Sequence, residues 1–135
     1  MNAYYCVSED FIAWDMDLMR TYYEDGENDA FPYLVIAHEW GHAITHRLDS
    51  SESGNAPELQ ADCLAGLALY GAVNDSTLEL ESGDGNEIAR TYSQMSDDTP
   101  WADPTTHGDA VDRMAAFAAG RPGDIDACIP YTASH

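Results

Sequence analysis

Lysine is absent from this 135-residue chain, and its positive charge comes from five arginines alone. Against them stand 25 acidic residues, for a formal net charge of −20 and an isoelectric point near 4.1. A surface this negative repels phosphate backbones and anionic lipid, which disfavours nucleic-acid binding and docking on acidic membranes. Long apolar runs are also missing. The longest, residues 31–37 and 64–73, fall short of the roughly 20 residues a membrane helix needs, so no membrane segment is expected in this chain. The opening Met1-Asn2-Ala3 lacks the basic and apolar stretches of a signal peptide. The expectation is a cytoplasmic chain or a mature domain whose leader is absent. Cysteines are few, and Cys6, Cys63 and Cys128 form no CxxC pair. That argues against a cysteine-based zinc site and leaves open either one disulfide plus a thiol or three thiols. There is no internal repeat and no low-complexity linker, so a single domain over residues 1–135 is expected.

Apolar residues make up 44% of the chain, enough to bury a core. Tyr4-Tyr5-Cys6-Val7 and Phe11-Ile12-Ala13-Trp14 are β-prone and are separated by Ser8-Glu9-Asp10, which reads as a turn. They predict a short hairpin or two pieces of an edge strand. Asp15 is placed to cap a helix running to about residue 24. Pro32 suits a first helical position, and Val35, Ile36 and Trp40 carry apolar bulk through to Leu48. Pro57 opens another helix to about residue 73, whose apolar residues cover much of its circumference and place it centrally. Between residues 75 and 94 the pattern is mixed. Ser76 is a cap for a short helix, Gly83-Asp84-Gly85-Asn86 interrupts it, and residues 87–95 resume it. A last helix is expected over residues 108–119, stopped by Gly120 and Pro122, with a loop beyond. The sum is a mainly α domain with a small β element, an α+β fold.

The residues that carry chemistry begin with His38-Glu39-Trp40-Gly41-His42. Positions four apart share a helix face, so both imidazoles can reach one metal ion. Glu39 is rotated by about 100° from His38 and can hold a water beside that ion. Two histidines so spaced also arise by chance on amphipathic helices, but the apolar run Tyr33-Leu34-Val35-Ile36-Ala37 places this helix in the interior. A buried His-Glu-His cluster without a partner is costly. His46 extends the same face, yet four residues of helix advance about 6 Å, too far for one ion to span all three imidazoles. A bent-helix metal motif would need glycine near position 45 and histidine at 48, where the chain has Thr45 and Leu48.

The better candidate for a third ligand lies in Glu58-Leu59-Gln60-Ala61-Asp62, whose two acids would otherwise read as solvent-facing residues in a chain with 25 of them. Fifteen residues, 43–57, separate His42 from Glu58, room for a turn and an antiparallel return. Glu58 and Asp62 point the same way. The expected division is Glu58 on the metal and Asp62 accepting the other ring N–H of a ligand histidine, His38. Cys63 lies about 140° around that helix from Glu58 and is not expected to share the metal. His107, before the last helix, is a candidate for hydrogen-bonding a tetrahedral oxyanion, or simply a loop histidine at a helix start.

Taken together, Tyr5-Cys6 with residues 11–14, Val35-Ile36-Ala37-His38-Glu39-Trp40-Gly41-His42, Glu58-Leu59-Gln60-Ala61-Asp62-Cys63-Leu64-Ala65-Gly66, and His107-Gly108 with Arg113 and Phe117 resemble the bacterial neutral zinc metallopeptidase family. The matching segments occur in that family's order and span nearly the whole chain. The string from Glu58 to Gly66 is far more specific than the His-Glu-His motif. The family is similar to the gluzincins, in which two histidines of one helix and a glutamate of the next hold zinc. The resemblance implies His38, His42 and Glu58 as zinc ligands, Glu39 as general base, and Asp62 as the carboxylate behind a ligand histidine. His107 falls where the family has its own His-Gly, and Asp112 stands before Arg113 where the family often has glutamine. The recurrence of cysteine beside Tyr5 and Asp62 implies a Cys6–Cys63 disulfide, and with it an extracytoplasmic setting.

The expected chemistry is zinc-assisted hydrolysis of peptide bonds in a peptide or protein substrate. Residues 11–14 would offer a free strand edge to that peptide. Trp14, Tyr33 and Trp101 are candidates for its side-chain pockets, although aromatic residues are more often core. The rival reading is a non-catalytic zinc domain with the same ligands, which would need a fourth protein ligand such as His107 or His46.

Overall fold

Alternating β-prone residues on either side of a short polar turn form the hairpin that the sequence predicts. In a computed structural model that describes residues 3–24, 28–48, 56–95 and 109–131, strand β1 (Ala3–Cys6) pairs antiparallel with β2 (Phe11–Trp14). Tyr5 lies opposite Ile12 in that register. Asp10 closes the turn at φ 55°, a left-handed conformation that aspartate tolerates better than most residues. Its carboxylate is gripped from two sides, by the Tyr5 hydroxyl at 2.8 Å and by Arg47 Nη2 at 2.6 Å.

Asp15 caps helix α1 (Met16–Glu24), its side chain accepting from the backbone N–H of Asp17 and Leu18. Helix α2 (Ala30–Arg47) begins two residues before Pro32, which therefore sits inside the first turn, where a missing N–H costs nothing. The cap of α2 comes from a distant residue. Glu87 accepts from the Ala30 N–H at 3.1 Å, so a carboxylate meets the positive end of the helix.

Helix α3 (Ala56–Asn74) is the centre of the molecule, with eight consecutive residues, Leu59 to Gly66, all buried. Such a run fits a helix packed on both flanks, here by α2 and by α5 (Ala110–Ala119). Glycine makes the second approach close. A Cβ on Gly66 would strike the Phe117 backbone, and one on Gly120 would strike the Cys63 backbone. Leu34, Ala37, Ala65, Tyr92 and Phe117 form one buried cluster among α2, α3, α5 and α4 (Asp84–Met95). Ala3, Met19, Phe31 and Val35 fix the hairpin and α1 onto α2. No described helix is long and apolar enough to cross a membrane.

Three local expectations are corrected. No helix follows Ser76, which turns through φ 61°, and α4 instead starts at Asp84 and runs through Gly85 and Asn86. The described part of the tail contains a 3-10 turn, Ile125–Ala127, capped by Asp124. The disulfide joins Cys63 to Cys128, not Cys63 to Cys6, whose thiol is free. Cys63 faces α5 and the tail within a cluster that includes Leu59, Leu64, Ala116 and Cys128. The pairing is therefore set by which face of α3 the cysteine occupies.

Candidate metal centre

Two antiparallel helices supply the polar cluster. His38 and His42 are one helical turn apart on α2, and Glu58 and Asp62 one turn apart on α3. Two imidazole nitrogens and both oxygens of one carboxylate converge between them. His38 Nε2 lies 3.1 Å from Glu58 Oε2, His42 Nε2 lies 3.3 Å from Glu58 Oε1, and the two Nε2 atoms are 3.0 Å apart. The imidazole planes stand at 87° to each other, so both aim one nitrogen at the same point without stacking. His38, His42 and Glu58 thus form a group able to hold one metal ion.

Behind this group lies a second, fully buried layer. His38 Nδ1 donates to Asp62 Oδ1 at 2.8 Å. Asp62 in turn accepts from Arg113, at Oδ2 from Nε over 2.7 Å and at Oδ1 from Nη2 over 3.0 Å. Arg113 comes from α5 and is 1% exposed. Its Nη1 donates to the Met95 carbonyl at 3.0 Å, and its guanidinium lies 5.2 Å above the centre of the Tyr92 ring. The cluster therefore draws on α2, α3, α4 and α5 together.

Burial penalises charge on every member, and the pairing reverses that penalty. For His38, burial lowers the pKa, but the Asp62 charge and hydrogen bond, with help from Glu58, push it up to about 9 in the metal-free protein. Burial also works against ionised Glu58 and Asp62. The two histidines hold Glu58 far below its ordinary value, and His38 and Arg113 do the same for Asp62. Asp62 raises the Arg113 pKa further despite the cost of burying a cation.

The cluster opens on a cleft of about 410 Å³ lined by His38, Glu39, His42 and Glu58 together with β1 and the end of α2. Glu39 is 5% exposed, and no described residue bonds to its carboxylate. His46 also borders the cleft but takes no part in the ligand group, and its ring leans on Tyr5 at 6.0 Å. This agrees with the expectation from helical rise.

The strand beside the centre is β1, through Ala3, Tyr4 and Tyr5, rather than β2. Phe11, Ile12 and Trp14 of β2 line a different hollow with Ile36 and Trp40, on the outer side of α2. Trp14 and Tyr33 are partly exposed and border other hollows, not this cleft. His107 and Trp101 lie outside the described residues. Sequence reading named Arg113 without giving it a role. The available signal was a lone arginine on the apolar face of a helix in a chain with only five basic residues.

The chain is 27% identical, over an alignment of 133 residues, to uncharacterized proteins of Mycobacterium tuberculosis and Mycobacterium bovis. The alignment covers 88% of this chain and 40% of each relative, so the chain matches well under half the length of those proteins. No family model matches the chain, and no solved structure matches it.

Proposed function

We propose that the protein is a zinc-dependent endopeptidase, related to the neutral zinc metallopeptidases that its motifs resemble. The observation that carries this reading is the convergence of His38, His42 and Glu58 beside Glu39 in an open cleft. Two imidazoles and one carboxylate are the donor set of many hydrolytic zinc sites. Ligand atoms bound 2.0–2.1 Å from one tetrahedral zinc lie about 3.3 Å apart. The 3.0 Å between the two Nε2 atoms is near that spacing, as are the 3.1 and 3.3 Å from them to the two Glu58 oxygens.

Bound zinc would supply Lewis acidity, polarising a carbonyl and lowering the pKa of a water to about 7. The remaining chemistry belongs to the chain. His38 and His42 present neutral Nε2 atoms, and Asp62 keeps the His38 proton on Nδ1, away from the ligand side. Glu39 faces the cleft with no partner among the described residues, a position from which its carboxylate can orient a water, take its proton and pass it to the leaving amine. β1 pairs only with β2 among the described residues, so its other edge can add an extended peptide by backbone hydrogen bonds. That edge replaces the one expected on β2.

The test combines elemental analysis with cleavage of casein, with and without a chelator. One zinc per chain and chelator-sensitive cleavage restored by zinc are expected. Stoichiometric zinc without cleavage would instead indicate a non-catalytic zinc domain. Absence of bound metal after zinc loading would remove both readings.

A further inference from the structure

Asp62 holds the His38 proton, but a carboxylate on a freely rotating side chain cannot aim a hydrogen bond. Once the Cα–Cβ torsion has placed its carboxyl carbon, the Cβ–Cγ torsion of Asp62 sets the plane of its oxygens. That torsion is fixed at two places by one rigid group, since Arg113 Nε reaches Oδ2 at 2.7 Å and Nη2 reaches Oδ1 at 3.0 Å. Such a planar fork matches a carboxylate edge and sets its plane. The oxygen shared with His38 is the one the fork holds second, so Oδ1 accepts from two donors whose nitrogens stand side by side at 3.4 Å.

Arg113 is itself immobilised. The Met95 carbonyl accepts from its Nη1, its guanidinium carbon lies 5.2 Å from the centre of the Tyr92 ring, and both Arg113 and Asp62 are essentially sealed from water. Its Nη2 is 3.9 Å from Glu58 Oε2, too far for a hydrogen bond. The arginine's charge reaches Glu58 and His38 directly, but its hydrogen bonds to a carboxylate run to Asp62.

We infer that Arg113 is a positioning residue for the metal: by locking the plane of Asp62 it fixes the tautomer and tilt of His38, and so sets how tightly the ion is held. This inference rests on the metal-binding part of the reading above and not on peptidase activity. Partners placed behind ligand histidines typically change metal affinity 10–100-fold.

The experiment is a competition titration of zinc against a chromophoric chelator, together with the visible absorption of the cobalt-substituted protein. Arg113→Met is expected to weaken zinc binding about 10–100-fold and to shift the cobalt bands. Arg113→Lys keeps the charge but not the fork, and should recover only part of the loss. Because Arg113→Met strands a buried carboxylate and could prevent folding, the double variant Arg113→Met with Asp62→Asn removes both charges. It should fold and still bind zinc weakly. Wild-type affinity and an unchanged cobalt spectrum in any of these folded variants would overturn the assignment. Wild-type protein that binds no zinc in the same titration would overturn the metal site itself, a separate failure seen before any variant is compared.

Discussion

Gly41 rests directly on the backbone of Ala61: a Cβ at Gly41 would sit 2.6 Å from the Ala61 carbonyl oxygen and 2.7 Å from its Cα. Gly41 falls between His38 and His42 on one helix, and Ala61 between Glu58 and Asp62 on the other. Their contact sets the distance across which imidazole and carboxylate meet. Gly41→Ala must push α2 from α3, since backbone cannot yield as a flexible side chain does. Overpacking of this kind costs about 1–3 kcal/mol. The expected result is a lower melting temperature and a large loss of zinc affinity together. A variant that melts lower but binds zinc normally would show that the contact stabilises the fold without setting the site.

The two histidines nearest the end of α2 should separate cleanly. His42 belongs to the ligand group and His46, one turn on, does not. His42→Ala is expected to abolish stoichiometric zinc, whereas His46→Ala should hold zinc within about twofold of wild type. Equal losses in both would mean that the ion sits closer to the cleft mouth than the Nε2 separations imply.

In the metal-free protein, His38 should titrate near 9, well above the 6.5 of a free imidazole. A folded-state value above the unfolded one stabilises the fold in full below pH 6.5, and that contribution disappears as pH rises through about 9. The depressed Glu58 and Asp62 act in the opposite sense. Their contribution is present above the ordinary carboxylate range and is lost on acidification. Zinc must displace the His38 proton, so apparent affinity should climb by up to tenfold per pH unit between 6.5 and about 9. Ring NMR signals of the metal-free protein, followed against pH, give the value directly, and titration at or below 6.5 would contradict the Asp62 pairing.

Much of this was legible because short-range patterns decided it. His38, His42, Glu58 and Asp62 fall at four-residue spacings on strongly apolar helices, and the return between α2 and α3 is short enough to force adjacency. The hairpin, the Asp15 cap and the bystander role of His46 follow from equally local rules. What escaped the sequence depended on contacts distant along the chain. Glu87 caps α2 across 57 residues, and Arg113 reaches Asp62 across 51. Which strand faces the cleft depends on how the hairpin lands on α2, and hairpin alternation alone does not specify that. The disulfide partner of Cys63 was missed for the same reason, since spacing along the chain says nothing of where the tail returns.

That disulfide links residues 65 apart and should matter for stability but not for the metal. A loop of this length restricts the unfolded chain by roughly 4 kcal/mol on the loop-entropy account, with measured values commonly about 2–4 kcal/mol. Cys63 faces Ala116 and the tail rather than the ligand group. Cys128→Ser is therefore expected to lower the denaturation midpoint strongly while zinc stoichiometry stays at one per folded chain. Loss of zinc from fully folded Cys128→Ser protein would tie the tail to the site in a way that the separate faces of α3 do not.

Glu39 offers the sharpest division between binding and catalysis. It follows His38 directly, so it is turned about 100° away from the ligand face and contributes no atom to the ligand group. Replacing its carboxylate by an amide changes neither size nor burial, but removes a carboxylate of the cleft wall that can shuttle a proton and is not part of the ligand group. Glu39→Gln should retain full zinc and wild-type thermal stability while turnover falls by at least 10²–10⁴, the usual contribution of a positioned base. Zinc content by elemental spectroscopy and peptide cleavage must be measured on the same preparation. If the variant cleaved at the native rate, the water would be activated elsewhere. If it lost zinc as well, Glu39 would be a ligand, and the three-atom geometry of His38, His42 and Glu58 would no longer account for the site.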